Sequence, residues 1–300
     1  MNGERYSIKV KRVRIFEVGP RDGLQNEPEF IATADKIRLT DMLTEAGCDR
    51  IEVTSFVHPK WVPQMKDAEE VLQKIARRPG VVYNALIPNM KGLERAIAAG
   101  LKEIVTIMSS SESHNKANLN FTVAESLAEL EKVNKAAAAA GVRVRSYIAT
   151  SFGCPMEGPI APSRVADIAA TLEGFGAYEI SLGDTTGMAS PVSAYEVPLA
   201  VKSRLKRAAL AVHYHQADGI EFANVLASLE AGIDIIDGAA GGLGGCPYAP
   251  GAKGNIATET LVEMLHRMGI ETGIDGAKIK AAGDFARSLS AYYGKGAHAK

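Results

Sequence analysis

The sequence predicts an α/β protein built as a closed (β/α)8 TIM barrel, with one or two helices added after the eighth unit. Three observations predict it. Short runs rich in branched and aromatic residues alternate with longer helix-type stretches along almost the whole chain. Eight such strand–helix units fit into 300 residues, and α/β barrels commonly occur as one unit of ~250 residues. No GxGxxG follows the first strand, where an open doubly wound sheet built for a dinucleotide would carry it. We expect a single catalytic domain over residues 1–300, the barrel spanning 13–270 and a helical extension 275–295. No linker, internal repeat or second core interrupts it.

The strands are expected at 14–18, 50–55, 81–87, 103–108, 142–150, 177–182, 209–214 and 233–237. The alternating run Lys9-Val10-Lys11-Arg12-Val13-Arg14 reads as the start of the first strand, with one face in solvent. Helix-type stretches fall at 32–46, 67–76, 123–140, 163–175, 191–207, 219–231 and 257–268. The alanine patch from Ala136 to Ala140 needs no functional reading, since alanine is the best helix former. After the last strand comes a long glycine-rich loop, 237–259. So much glycine is costly to order, and its Leu243, Cys246 and Tyr248 would be wasted on a solvated linker. A functional loop is the better reading.

Composition narrows the classes. At 46% hydrophobic and 23% charged, with a net charge of −1, the chain lacks the electrostatic footprint of a nucleic-acid binder. No apolar segment approaches the ~20 residues of a membrane span. Cys48, Cys154 and Cys246 are odd in number, widely spaced and without a CxxC, so neither a disulfide framework nor a zinc site is implied. The N-terminus has no apolar signal core, and a cytoplasmic protein is expected.

Barrel chemistry sits at the C-terminal ends of the strands. After the first strand comes Pro20-Arg21-Asp22-Gly23, which a surface turn would explain equally well. Within the second, Glu52 stands between Ile51 and Val53; pointing inward it would need a partner. The sixth ends in Gly183-Asp184-Thr185-Thr186-Gly187, where the Asp could simply cap a turn. The seventh ends in His213-Tyr214-His215, which puts both imidazoles on one side of the mouth, an arrangement that favours a metal. Asp22 and Asn255 could add oxygen ligands, because the first, seventh and eighth strands become neighbours when the barrel closes. This mixed set suits Mg2+ or Mn2+, with the imidazoles favouring Mn2+. Cys246 then reads as an acid or base rather than a ligand.

Taken together, residues 18–27 (VGPRDGLQNE), 51–65 (IEVTSFVHPKWVPQM), 181–187 (SLGDTTG), the His213-x-His215 pair and 243–259 (LGGCPYAPGAKGNIATE) resemble the 3-hydroxy-3-methylglutaryl-CoA lyases. These metal-dependent barrels are related to the isopropylmalate and homocitrate synthases. The first and last motifs are specific; GDTTG and HxH alone would be weak. The resemblance implies a divalent cation held at Asp22, His213, His215 and Asn255. It also implies enolate stabilisation by Arg21, proton transfer by Cys246, and catalytic contributions from Glu52 and Asp184; for the base that takes the hydroxyl proton, His213 and Asp22 are both candidates. The implied reaction cleaves a 3-hydroxyacyl-CoA to acetyl-CoA and a keto acid, acetoacetate in the founding case. A homodimer is expected, and leucine breakdown and other acyl-CoA pathways both stay open.

Three mouth positions depart from the usual family sequence. Gln216 stands where Asp is common, with Asp218 close behind it, and His58 and His114 are also unusual. They are either neutral drift or a changed acyl pocket, for a branched or citramalyl-like thioester. Lys60 and Lys253 are candidates for the CoA phosphates. A condensing enzyme is disfavoured by Cys246 in its loop, and a non-catalytic CoA-binding barrel by the complete polar set.

Overall fold

The architecture follows from eight parallel strands that close on themselves in chain order. In the computed structural model, which describes residues 8–244 and 254–291, these are β1 (Arg14–Glu17), β2 (Arg50–Ser55), β3 (Val82–Leu86), β4 (Glu103–Ser109), β5 (Arg143–Ala149), β6 (Ala177–Asp184), β7 (Ala209–Tyr214) and β8 (Ile235–Gly238). Around them lie α1 (Thr33–Ala46), α2 (Ala68–Lys74), α3 (Met90–Ala98), α4 (Glu112–Leu119), α5 (Val123–Ala139), α6 (Pro162–Gly174), α7 (Pro191–Lys202), α8 (Ile220–Glu230) and α9 (Thr258–Arg267). A further helix, α10 (Gly276–Leu289), is the expected extension. Closure pairs Phe16 of β1 with Asp237 of β8 and Glu17 with Gly238.

Strand residues two apart share a face, so each strand serves two cores. Outward residues such as Ile51, Val144, Ile180 and Ile236 pack under the helices in one large apolar shell. Inside the barrel the apolar cluster is small: Phe16, Val18, Leu86, Val105, Tyr147 and Ala239. The rest of the interior is polar, much of it charged. Arg145 has no exposed surface; its guanidinium lies 3.8 Å from the centre of the Phe16 ring and 4.6 Å from that of Tyr147. It donates to Glu179 and to Asp237, each at 2.5 Å. Arg50 continues the alternation of signs, pairing with Glu179 at 2.8 Å and Glu103 at 3.3 Å. Removing one member of such a buried pair typically costs ~3–5 kcal/mol, because its partner's charge is stranded.

The helix ends follow their sequence signals. Thr122 and Glu125 form a capping box at α5, and the Asp275 carboxylate accepts from the Ala277 and Lys278 amides at α10. The extension also braces the mouth. Glu259 accepts from the Gly241 amide at 3.0 Å and from Arg287 of α10. Gly283 of α10 leaves the room, since a Cβ there would lie 2.6–2.7 Å from the Glu259 carboxylate.

Several expectations are corrected. β1 starts only at Arg14; ahead of it Arg12 makes one isolated bridge to Glu271 and the Val13 amide donates to the Glu271 carbonyl, so most of the basic run is not a strand. Helix α7 stops at Lys202, short of 207, because Glu173 accepts the amides of Lys206, Arg207 and Ala208 and holds them as a loop. β6 runs on to Asp184, paired with Tyr214. Helices α3 and α4 were not anticipated; Asn89 and Ser111 cap them by accepting from the Gly92 and His114 amides.

Candidate active site

Three groups that could hold a metal ion meet at the mouth. Asp22, His213 and His215 each present a ligand atom within 4.8 Å of the others. Asp22 comes from the turn Gly19–Gly23, a single π-helical turn wound on the Val18 carbonyl, which accepts from the amides of Arg21, Asp22 and Gly23. Glycine is required at its start, because a Cβ on Gly19 would lie 2.5 Å from the Glu17 carboxylate. His213 is in β7. His215 lies just beyond its end, bridged to Asn255, and the two rings are 5.2 Å apart on the same side as alternation predicts.

Asn255 completes the corner. Its side-chain amide donates to Asp22 Oδ2 at 2.8 Å and to the Leu243 carbonyl at 2.9 Å. Both acceptors fix which end is nitrogen, and they leave Oδ1 buried without a hydrogen-bond partner. A buried amide oxygen of this kind carries a desolvation cost unless something electropositive meets it. Two imidazoles, a carboxylate and this oxygen form a donor set that fits a divalent cation.

The buried Arg21 forms the next wall. It donates from Nε to Glu52 and from NH1 to Asp22, each at 2.5 Å. Burial works against its charge, but the Glu52 and Asp22 carboxylates outweigh that and raise its pKa above the ordinary arginine value. The same contact, with the two imidazoles, holds Asp22 below the ordinary carboxylate range despite burial. Glu52 does point inward and does have its partner; Tyr147 also donates to it at 3.3 Å.

Behind His213 lie residues that the sequence reading missed. Its Nδ1 is 3.2 Å from Asp237 Oδ2, and Asp237 is held in turn by Arg145 at 2.5 Å and Ser181 at 3.2 Å. Burial opposes ionisation of Asp237, but Arg145 and His213 outweigh it and bring the pKa down to about 2. An anionic Asp237 fixes the ring with Nδ1 protonated, leaving Nε2 for the mouth. The available signal for Asp237 was a lone carboxylate after the apolar Ile235-Ile236, of the same kind as Glu52.

Asp184 is not among the converging ligand groups. Its Oδ1 accepts from the Met188 and Ala189 amides at 2.8 and 3.0 Å, as a turn cap would. Burial, opposed by those amides, raises its pKa to about 6. Of the unusual residues, His58 is at the surface, accepting from the Lys60 amide. His114 is buried, with Nδ1 3.1 Å from Ser109 Oγ, and burial lowers its pKa. Cys246 and Lys253 lie outside the described residues.

Comparison with known proteins agrees with this geometry. The HMGL-like family model matches residues 12–286. Human mitochondrial hydroxymethylglutaryl-CoA lyase is 50% identical over 275 residues, covering 92% of this chain and 85% of that protein. The structure of the HMG-CoA lyase from Brucella melitensis superposes with a TM-score of 0.90 at 47% identity, covering 93% of this chain and 99% of that one. That of an HMG-CoA lyase from Acinetobacter baumannii, in complex with coenzyme A and 3-methylmalate, gives 0.88 at 39% identity, with 95% of each chain covered. With the family model matching nearly the whole length of the barrel and relatives about half identical over the same span, the chain belongs to the HMGL-like family.

Proposed function

We propose that the protein is a divalent-metal-dependent carbon–carbon lyase that cleaves 3-hydroxy-3-methylglutaryl-CoA to acetyl-CoA and acetoacetate. The observation that carries this reading is the convergence of Asp22, His213 and His215 beside the unpartnered Oδ1 of Asn255. The shared name of the relatives supports the reaction, and the coenzyme A of one related structure supports an acyl-CoA substrate. A lyase for citramalyl-CoA or a branched analogue is the weaker reading, since the near relatives carry the hydroxymethylglutaryl name.

Asp22, His213, His215 and Asn255 would hold a cation such as Mn2+ or Mg2+, which would supply a Lewis acid to acidify the C3 hydroxyl of the substrate. The hydroxyl proton leaves to His213 or Asp22. Both Asp22 oxygens already accept hydrogen bonds, from Arg21 and Asn255, and His213 Nδ1 faces Asp237. The bond between C2 and C3 then breaks, leaving its electron pair on the thioester as an enolate. Arg21 has spent one donor on Glu52 and one on Asp22, and its remaining N–H groups can stabilise that charge. Cys246 protonates C2 to give acetyl-CoA. Glu52 keeps Arg21 in place, and Asp184 holds the loop after β6.

Lys60 is an exposed candidate for the CoA phosphates. The chain acts as one domain and as a cytoplasmic homodimer; a light-scattering mass of a single chain at working concentration would rule the dimer out. Among the described residues no helix is long and apolar enough to cross a membrane. The test of the reaction is turnover of 3-hydroxy-3-methylglutaryl-CoA by metal-stripped protein, before and after adding Mn2+ or Mg2+. Cleavage at ~1 s−1 or faster only with metal is expected. Metal binding without cleavage would refute the substrate, and cleavage without metal would refute the centre.

A further inference from the structure

Gln216 follows the ligand His215, and its side chain turns away from the donor set toward the backbone that carries Asn255. Its Nε2 donates to two main-chain carbonyls, that of Asn255 at 2.9 Å and that of Gly242 at 3.0 Å. Its own amide donates to the Gly254 carbonyl at 2.8 Å. One carboxamide therefore uses both of its N–H groups to join the two arms of the last loop, on either side of the ligand corner. The arms are cut to receive it. A Cβ on Gly242 would lie 2.6 Å from Gln216 Nε2, and one on Gly254 would lie 1.9 Å from the Gly242 carbonyl oxygen. A Cβ on Gly244 would lie 2.6 Å from Asn255 Nδ2 and 2.7 Å from the Asp22 carbonyl oxygen.

We propose that Gln216 is a positioning residue for the metal centre, bracing the 242–244 and 254–255 arms so that the Asn255 amide presents Oδ1 to the ion; this rests on the metal reading above. A side chain with only one donor could hold one arm but not both. A carboxylate of similar length would set its oxygens against two carbonyl oxygens, so the carboxamide is the chemistry the two arms require. Because the side chain acts through the backbone of Asn255, its loss weakens the grip on the ion more than it alters the chemistry once the ion is held. Loss of a residue that orients a ligand typically weakens metal affinity by about 10–100-fold.

The test compares the metal-stripped wild-type protein with Gln216→Met, which keeps the length and removes both donors, and Gln216→Asn, which keeps the amide and shortens the reach. Mn2+ dissociation constants are measured by calorimetry, melting temperatures without metal, and kcat at rising Mn2+. The expected result is a dissociation constant weakened roughly 10–100-fold in both variants. The metal-free melting temperature should stay close to wild type, and kcat should be largely regained at saturating Mn2+. A purely structural role would lower the metal-free melting temperature and leave Mn2+ affinity within about twofold, which overturns the proposal. Should Gln216→Met fail to fold, Gln216→Asn decides by the same comparison. Wild-type protein that binds no Mn2+ would instead overturn the metal centre, and this proposal with it.

Discussion

Arg21 is permanently charged, almost wholly buried, and already committed to two carboxylates. That arrangement fixes its fork before substrate arrives, so little reorganisation is needed when negative charge develops beside it. Lysine would keep the charge but not the planar fork that reaches Glu52, Asp22 and substrate together. Arg21→Lys should therefore lower kcat by roughly a hundredfold, with a smaller effect on the Mn2+ dissociation constant. Cys246→Ser should separate the two readouts more cleanly, since the thiol is assigned to the proton and not to the ion. Kinetics paired with calorimetry check both; an unchanged kcat in either variant removes that residue from the chemistry. At this scale Arg21, Asp22, His213 and His215 stand out as polar residues at or just beyond a predicted strand end, Glu52 as a carboxylate between apolar strand residues, and Asn255 as a polar residue of the glycine-rich loop. The role of Asp237 does not, because it depends on two neighbouring strands that chain order alone does not align.

The element that makes the corner is the short strap from Gly254 to Thr258. Gln216 and Ile256 donate their amides to the Gly254 and Tyr214 carbonyls, on the β7 side. On the β8 side the Ala239 amide donates to the Ile256 carbonyl, and the Thr258 amide donates to the Ala239 carbonyl. The strap thus lies between two strand ends, and Asn255 projects from its middle. Gly254 is the position with no tolerance, since any side chain would run into the Gly242 carbonyl oxygen. Gly254→Ala should displace the strap, weakening Mn2+ binding and also lowering the metal-free melting temperature. That second loss distinguishes it from Gln216→Met. A crystal structure or calorimetric titration of the variant matching wild type would show that the strap does not set the ligand geometry. The glycine-rich composition made a functional loop legible; which glycine is obligatory depends on approach distances that only the folded chain supplies.

Across the whole molecule, closure of the barrel concentrates on Glu17. Its carboxylate accepts from the Gly19 amide at 2.7 Å, the Ala240 amide at 2.9 Å and the Thr258 hydroxyl at 2.6 Å, tying the end of β1 to the segments beyond β8. Burial, opposed by those donors, raises its pKa from 4.5 to about 7. A carboxyl raised in the folded state contributes stability that is complete below 4.5 and lost as pH rises through about 7. Asp237 has the opposite sign: depressed to about 2, its contribution is present above 3.8 and lost as pH falls through about 2. Between pH 4.5 and about 7 it therefore adds no slope. The melting temperature of wild type should fall relative to that of Glu17→Gln across this window, and parallel curves for the two proteins would exclude the effect.

The sequence by itself determined the barrel, the order of its strands and the side of the mouth on which the histidine pair lies, because periodicity and turn residues are local properties. It also determined that Asp22 and Asn255 could join the pair, once closure brings the ends of the chain together. Only the tertiary structure decided how those groups are held. The Asp237–Arg145 support behind His213, the reach of Gln216 across two arms and the Glu17 seam are contacts between residues far apart in the chain or facing inward from different strands. Such contacts depend on register and on packing distances of a few tenths of an ångström, which no local pattern encodes.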